Sequence, residues 1–264
     1  MQVVGYDTAS GTLLVSHAAD DTEPGDHDGG TVEPVALGPG VELAWTLGDR
    51  HCAGTVVGDD EHVACDAPDA PYCPHHTSTW VCARCTGTCL KDEMDCYDDH
   101  AVYLAAFAPD AFKVGVTKRW RLETRLREQG ADRGAHLYTV ANGRVARELE
   151  AEIASGPEPE LSDFVRADTK RAGLGSQVDE TAWDRLLAGF DVRERYEFDY
   201  GLDLTERPVP ETIATGTVRG TKGRLLVLDH AGSSYAVDLR DLVGYELEAG
   251  GTGRDLQSSL GAFG

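Results

Sequence analysis

Long apolar runs are absent from this sequence of 264 residues. The longest uninterrupted run, AVYLAAFA at Ala101–Ala108, falls far short of the roughly 20 residues that a membrane-spanning helix needs. The first residues, MQVVGYDTASG, have neither the basic nor the apolar region of a secretory signal peptide. These absences predict a soluble protein that stays in the cytoplasm and has no membrane partner.

Lysine is also scarce, and the basic residues are mostly arginine. The lysines are Lys91, Lys113, Lys118, Lys170 and Lys222. Acidic residues outnumber basic ones by 46 to 24, which gives a net charge of −22. Such a charge repels itself in dilute buffer, whereas in about 1 M salt the screening length is only roughly 3 Å. The composition therefore favours the salt-rich cytoplasm of a halophilic archaeon, with an ordinary acidic mesophilic protein as the alternative.

Cysteine is unevenly distributed, and the chain has seven of them, an odd number that fits a disulfide framework badly. In a reducing cytoplasm such clusters usually bind metal. The spacing Cys82-x2-Cys85 lets two thiolates converge on one tetrahedral ion, and Cys89 and Cys96 would complete a four-thiolate site. This closed ligand set predicts a structural zinc ion.

A second group of zinc ligands precedes the first. Cys73 and His76 have the Cys-x2-His spacing, and Cys65 is close enough in sequence to join them, with Cys52 as a further candidate. The chain therefore has ligands for one or two zinc ions. The short spacings leave open how the ligands divide between two sites.

Strand-like and helix-like patterns occupy different regions, which predicts an α+β protein. Short β-rich runs such as TLLVSH and VELAWTL fill the start of the chain, and GRLLVLDH and similar runs fill its end. Helical patterns cover KRWRLETRLREQ, GRVARELEAEIA, and residues 160–171 and 179–190. The predicted regions are a β-rich N-terminal region (1–60), a zinc-binding module (61–99), an α/β core (100–157), a helical extension (158–204), a small β-barrel (205–248) and a flexible tail (249–264).

The first of these helices is basic, although the protein as a whole is acidic. Together with the end of the preceding strand, it contributes six bases between positions 113 and 127, which are Lys113, Lys118, Arg119, Arg121, Arg125 and Arg127. One acid, Glu123, lies among them, together with Trp120, an indole that could stack on a nucleobase. A local concentration of positive charge in an anionic chain favours a phosphate-bearing partner, DNA or RNA. The alternative is an ordinary solvated helix face.

The core region resembles the GIY-YIG nuclease superfamily, which has a small three-stranded sheet flanked by helices. The resemblance covers about residues 100–155 and rests on a strand with tyrosine (AVYLA), a strand with glycine (FKVG), an arginine helix and a glutamate helix. The longer pattern, a cysteine cluster followed by HAVYLAAF, FKVGVT and REQGA, is similar to the domain-of-unknown-function family numbered 2797. That second resemblance implies no activity.

The nuclease resemblance implies an active site. Tyr103 matches the tyrosine of the first motif, Arg125 the helix arginine and Glu150 the metal-binding glutamate. Lys113 replaces the tyrosine of the second motif, and Gln129 stands where a histidine is often found. Glu150 would hold Mg²⁺ or Mn²⁺, Arg125 would neutralise charge on the phosphate, and Tyr103 or Lys113 would handle the proton of the attacking water.

Three functions follow from these observations. The first is a divalent-metal-dependent phosphodiesterase or endonuclease, which needs the tyrosine, arginine and glutamate in one cleft. The second is a non-catalytic binder of RNA or DNA, which needs only an exposed basic face. The third is a scaffold that binds a protein partner and pairs its basic helix with its own acidic residues. The sequence leaves open whether the protein is an enzyme.

Overall fold

The computed structural model describes residues 1–17, 29–77, 97–156 and 161–253. The chain divides into two compact units. The first unit comprises Met1–Ser78 together with Leu204–Gly264, and the second unit comprises Thr79–Asp203. No helix in the described part of the chain has both the length and the apolar character needed to cross a membrane.

Strands outnumber helices in both units. The described elements, in chain order, are β1 (Gln2–Asp7), β2 (Thr12–His17), β3 (Gly29–Ala36), β4 (Glu42–Arg50), β5 (Thr55–Val57), β6 (Glu61–Val63), β7 (His100–Phe107), β8 (Ala111–Lys118), α1 (Leu122–Gln129), β9 (Arg133–Val140), α2 (Gly143–Ala154), β10 (Leu161–Ser162), α3 (Ala167–Ala172), α4 (Glu180–Leu187), β11 (Glu194–Glu197), β12 (Val209–Pro210), β13 (Ala214–Lys222), β14 (Leu225–His230), β15 (Ser233–Asp238), α5 (Leu239–Leu242) and β16 (Tyr245–Ala249).

The first unit is built on one sheet of eleven strands. Their order is β12-β15-β14-β13-β4-β16-β1-β2-β3-β6-β5. The predicted C-terminal strands are present, but the predicted small barrel is not formed. In the described residues β13 pairs with β4, and β16 pairs with both β4 and β1, so these strands lie within a larger open sheet. The alternating pattern of a strand indicates which face is buried but does not identify a distant partner strand.

The second unit has a five-stranded sheet in the order β10-β8-β7-β9-β11. The three strands predicted for the core region form its centre, and the short strands β10 and β11 extend it at the two edges. The β10 strand pairs parallel to β8, with Ser162 opposite Lys113. The helix predicted over residues 160–171 is therefore wrong at its start, because Leu161–Ser162 is strand and α3 begins at Ala167.

The central strand β7 is buried along its whole length because both of its faces are covered. Val102, Leu104 and Ala106 contribute to a core that includes Ala146 of α2 and Trp183 of α4. The residues on the opposite face join a second core together with two leucines of α1. These β7 residues are Tyr103, Ala105 and Phe107, and the leucines are Leu122 and Leu126. The sheet therefore separates the two cores. Of the residues predicted to be catalytic, Tyr103 lies on the α1 face, and Glu150 belongs to α2, which packs against the other core.

Helix α1 is shorter than the sequence pattern predicts. A single turn of 3-10 helix at Arg119–Arg121 precedes it, and the α-helix begins at Leu122. It ends, as predicted, at Gly130, whose φ of 71° is in the left-handed region that glycine adopts without strain. Helix α2 is capped by Asn142, whose side chain accepts a hydrogen bond from the backbone N–H of Val145.

Candidate metal centre and central polar cluster

Three cysteines and one histidine of the first unit form a compact group, Cys52, Cys65, Cys73 and His76. Their ligand atoms all lie within 4.8 Å of one another. Nδ1 of His76 is 3.3 Å from Sγ of Cys52 and 3.3 Å from Sγ of Cys73. A tetrahedral zinc ion with thiolate and imidazole ligands holds its donor atoms about 3.5–3.8 Å apart. The donor set and its spacing therefore fit one zinc ion, with four protein ligands and no open position.

The chain brings the ligands together in two ways. Cys73 and His76 share one tight turn, in which the backbone N–H groups of His76 and Thr77 donate to the carbonyl of Cys73 at 3.0 Å and 2.8 Å. Cys52 comes from the segment after β4, and its sulfur accepts a 3.2 Å hydrogen bond from the backbone N–H of Cys73. Such amide–sulfur bonds support thiolate ligands.

A buried histidine holds the segment that follows β4. Nε2 of His62 lies 2.9 Å from the carbonyl oxygen of Ala53, and its Nδ1 lies 2.8 Å from Oγ of Ser16. Gly54 has a φ of 62°, and a Cβ atom there would lie 2.1 Å from the carbonyl oxygen of Val63. Only glycine fits at this position, so the backbone beside the first cysteine ligand has a fixed path.

The surroundings of the thiols favour different protonation states. Burial raises the pKa of Cys52 above its ordinary value. Burial acts in the same direction on Cys73, but hydrogen bonds from the backbone N–H groups of His76 and His75 outweigh it and lower the pKa to about 6. Cys52, Cys65 and Cys73 are free thiols. A thiolate at Cys73 is the form that binds metal.

The other predicted zinc ligands, Cys82, Cys85, Cys89 and Cys96, lie outside the described residues. A second zinc ion therefore stays a prediction. The sequence pattern identified the Cys73–His76 pair from its spacing. Cys65 and Cys52 lie 8 and 21 residues before Cys73, so pairing β3 with β6 and β5 with β6 is needed to bring their segments together.

The second unit contains a polar cluster around Tyr103, which lies on the α1 face of β7. The tyrosine is 1% exposed and lies directly opposite Gly115 of β8. A Cβ atom at Gly115 would lie 2.6 Å from both Cζ and the hydroxyl oxygen of Tyr103. The glycine of the second motif thus provides space for the tyrosine of the first, which explains their occurrence on neighbouring strands.

The Tyr103 hydroxyl is surrounded by groups from both helices of the core. Nε2 of Gln129 donates a 2.6 Å hydrogen bond to it. Burial raises the pKa of Tyr103, and the negative charge of the Glu150 carboxylate also raises it. The positive charge of Arg125 and the hydrogen bond from Gln129 lower it, but burial has the larger effect. The arginine and the glutamate are therefore both electrostatic neighbours of the tyrosine.

Lys113 belongs to the same cluster. Burial lowers the pKa of its ammonium group to about 8, the carboxylates of Glu150 and Asp163 oppose this effect, and the Arg125 charge adds to it. In the part of the chain that the structure describes, the ammonium group forms neither a hydrogen bond nor an ion pair. A partly buried cation without a bound carboxylate is a favourable partner for an anion.

Glu150 is the carboxylate of this cluster and is only 7% exposed. Its Oε2 atom accepts a 2.5 Å hydrogen bond from Nη1 of Arg147, one turn earlier in α2. Mg²⁺ in proteins is commonly held by one or two carboxylates, with water and substrate phosphate completing its coordination. In this structure Arg147 already engages one of the Glu150 oxygen atoms, and Glu150 is not part of a group of metal-ligand atoms in the described residues.

The basic segment around α1 pairs with acidic side chains of its own unit. The pairs are Lys118–Asp98 (2.7 Å), Arg119–Glu194 (3.1 Å), Arg121–Glu128 (2.8 Å), Arg125–Glu128 (3.2 Å) and Arg127–Glu123 (3.3 Å). The basic side chains nevertheless stay 38–51% exposed, and Trp120 is 74% exposed. Exposed ion pairs contribute about 0–1 kcal/mol each, so a polyanion can compete with these carboxylates.

Three contributors to this cluster were missed in the sequence. Arg147 lies three residues before Glu150 on the same helix, a spacing that predicts the pair and could have been used. Asp163 becomes a neighbour of Lys113 through the parallel pairing of β10 with β8, which no local pattern predicts. Glu128 directly follows Arg127 and is three residues from Arg125, a spacing that also predicts an ion pair.

These features define an α+β protein, dominated by β-sheet, with a Cys3His cluster that could hold a zinc ion. The chain belongs to the family described as "Protein of unknown function (DUF2797)", which matches residues 75–247. The match includes the whole central polar cluster and His76, while the three described cysteine ligands precede it. Comparisons with curated proteins and with solved structures gave no match.

Proposed function

We propose that this protein is a zinc-containing nucleic-acid-binding protein whose second unit cleaves phosphodiester bonds with the help of Mg²⁺ or Mn²⁺. One observation carries the proposal. A hydroxyl, an ammonium group, a guanidinium group and a carboxylate, contributed by β7, β8, α1 and α2, act on one another electrostatically. The hydroxyl, the guanidinium group and the carboxylate are the groups that the resemblance to GIY-YIG nucleases predicts, while the ammonium group belongs to Lys113, which replaces the tyrosine of the second motif.

The cations of the cluster explain why the ligand would be an anion. In a chain of net charge −22, Lys113 and Arg125 lie together, and the Lys113 ammonium has no bound carboxylate within the described ranges. A phosphate group would relieve the electrostatic cost of burying this lysine. The exposed arginines of α1 would extend the contact along a nucleic-acid backbone, where phosphate contacts supply most of the affinity.

Each residue of the cluster has a separate task in phosphodiester hydrolysis. Arg125 is suited to neutralise the charge that develops on the phosphate, since its guanidinium group can donate two parallel hydrogen bonds. Tyr103 and Lys113 are suited to donate or accept a proton at the attacking or leaving oxygen. Glu150 would hold the divalent ion, which when bound supplies Lewis-acid polarisation of the phosphate.

The zinc centre has a structural role in this proposal. Four protein ligands leave no position for substrate, which is the arrangement of structural rather than catalytic zinc. The ion would connect three pieces of chain, which are the segments after β4 and β6 and the Cys73–His76 turn. Hydrogen bonds also join these pieces, for example the 2.8 Å bond from the N–H of Cys52 to the carbonyl of Ala67.

A non-catalytic nucleic-acid binder is the second candidate. Two observations favour it. Arg147 engages the Glu150 carboxylate, which would otherwise be free to hold a divalent ion. Gln129, a residue that does not titrate, bonds to Tyr103 in the place where a histidine would resemble the nucleases more closely. Cleavage and binding therefore have to be measured separately.

A cleavage assay on single-stranded and double-stranded DNA and RNA tests the catalytic proposal. The assay is run with Mg²⁺, with Mn²⁺ and without either, from low salt to molar KCl. We expect metal-dependent cleavage by the wild type, and a loss of at least about 100-fold in Glu150→Gln. Glu148→Gln, an exposed change two residues away on α2, is the matched control and should retain activity. Absence of metal-dependent cleavage on every substrate would exclude the nuclease and leave the binder.

A further inference from the structure

The short segment after β10 lies beside the central polar cluster. Ser162 is opposite Lys113, and the next residue, Asp163, acts electrostatically on the Lys113 ammonium group. Val165 packs against the apolar core that contains Tyr103 and the leucines of α1. Residues on both sides of position 164 are therefore anchored on the face of the sheet that carries the cluster.

Between these two anchors, Phe164 points into solvent. Its side chain is 65% exposed. Its backbone is held by Ser162, whose Oγ accepts a 3.1 Å hydrogen bond from the N–H of Phe164 and donates a 2.9 Å hydrogen bond to the carbonyl of the same residue. An exposed aromatic ring is thus presented on an ordered turn. Position 164 is two residues, at most roughly 7 Å of chain, beyond the residue that faces Lys113.

We propose that Phe164 is a stacking platform for the base of an unpaired nucleotide whose phosphate lies at Lys113 and Arg125. This inference rests on the proposed function and deepens it, since it names single-stranded nucleic acid as the ligand. An aromatic ring two residues from the position opposite Lys113, whose ammonium group has Arg125 as an electrostatic neighbour, matches a nucleotide, which joins an apolar, flat base to an anionic phosphate. In a duplex the faces of the bases are already stacked on one another, so the ring selects an unpaired base.

The charge of the surroundings decides between a nucleotide and an apolar protein partner. Phe164 is two residues from the position opposite Lys113, so a protein segment that extended from Phe164 over the end of β10 would approach an ammonium group that is already partly desolvated. An apolar segment would increase that desolvation, whereas a phosphate compensates it. The ligand favoured by both groups together is a nucleotide.

Fluorescence anisotropy with three labelled probes tests this inference. The probes are a single-stranded oligonucleotide, the same oligonucleotide made abasic, and its duplex, all without added Mg²⁺ or Mn²⁺ so that no cleavage interferes. Phe164→Leu should weaken binding of the single strand about tenfold, since stacking on one aromatic residue accounts for that much affinity. It should leave the abasic strand and the duplex unchanged, and Phe164→Trp should bind the single strand at least as tightly as the wild type.

The outcomes separate this inference from the function on which it rests. If the wild type binds none of the probes, the proposed function fails and the stacking site fails with it. If Lys113→Gln and Arg125→Gln weaken binding but Phe164→Leu does not, the phosphate site stands and the stacking site is excluded. An equal loss on the normal and abasic strands after Phe164→Leu would mean that Phe164 supports the fold rather than a base, which also overturns the inference.

Discussion

The side-chain amide of Gln129 donates a 2.6 Å hydrogen bond to the hydroxyl of Tyr103, which is among the largest fully buried side chains in the described part of the chain. Because the hydroxyl oxygen accepts from Gln129, its own proton is directed elsewhere in the cluster, where Glu150 is an electrostatic neighbour. Burial also raises the pKa of Tyr103, so the residue is a neutral hydrogen-bond donor at ordinary pH. It would therefore act on a phosphate by donating a hydrogen bond before it acts as a base.

The Tyr103–Gln129 bond should contribute measurably to stability. Tyr103→Phe leaves the half-buried Gln129 amide without this partner, and we expect a loss of about 1–3 kcal/mol in the free energy of unfolding. Gln129→Met should cost less, and the double variant should cost less than the two single changes added together. Urea unfolding of the four proteins measures this coupling. Strictly additive effects would contradict the bond.

Lys113 should make stability depend on pH between about 8 and 10.5. Its pKa is about 8 in the folded protein, against 10.5 for an ordinary lysine, so within this window the unfolded chain binds the extra proton. The free energy of unfolding therefore rises as the pH increases through this window. Below pH 8 Lys113 is charged in both states, and the cost of burying its charge lowers the stability of the folded protein by the full amount.

Replacing this lysine isolates its contribution. Lys113→Met should be more stable than the wild type at pH 7, and the difference should shrink as the pH approaches 10.5. Lys118→Met removes an ammonium group that pairs with Asp98 at 2.7 Å and is the matched control, for which we expect no gain. Urea midpoints measured from pH 7 to pH 10 give the comparison. Similar pH profiles for both variants would show that Lys113 is not desolvated.

The metal centre can be tested by replacing two neighbouring histidines, one at a time. His76 belongs to the cysteine cluster, whereas His75 is exposed and has no ligand atom in it. We expect His76→Ala to lose one equivalent of zinc, measured by elemental analysis of the purified protein, and to unfold more readily. His75→Ala should keep the full zinc content. Equal zinc in both variants and the wild type would exclude the Cys52–Cys65–Cys73–His76 site.

Local patterns predicted those parts of the fold whose physical cause is local. The apolar residues of β7 and β8 indicate a buried hairpin, and Gly130 ends α1 because it adopts a positive φ. The Cys-x2-His spacing predicted one turn of the metal centre because both ligands lie on the same short piece of chain. The tyrosine and glycine motifs were predicted on the two strands of a hairpin, and the structure places Tyr103 directly opposite Gly115 there.

Long-range pairing accounts for most of what the sequence did not predict. The eleven-stranded sheet joins β16 to β1, elements more than 200 residues apart, and this pairing replaces the expected barrel. The edge strands β10 and β11 have two and four residues, too few for an alternating pattern to be recognised. Asp163 and Phe164 directly follow β10, so their relevance appears only once that strand is placed beside β8.

The basic face of α1 distinguishes a nucleic-acid binder from a scaffold. Arg121 and Arg125 share one carboxylate, Glu128, which is 14% exposed, so two cations there are balanced by one anion. Replacing both arginines with glutamate should weaken oligonucleotide binding at least tenfold. It should also lower the slope of log K against log salt by about 1.5, because each lost phosphate contact contributes roughly 0.7–0.9.

A control variant with the same change in net charge shows whether weaker oligonucleotide binding is caused by the loss of the basic face of α1 or by the more negative total charge. Arg144 and Arg195 are exposed arginines of the second unit that pair with Glu148 and Asp184. Replacing these two with glutamate alters the total charge equally, and we expect the salt slope to stay close to that of the wild type. If both double variants weaken binding alike, the overall charge rather than the α1 face governs binding. If neither does, the basic helix serves its own carboxylates, which favours the scaffold that binds a protein partner.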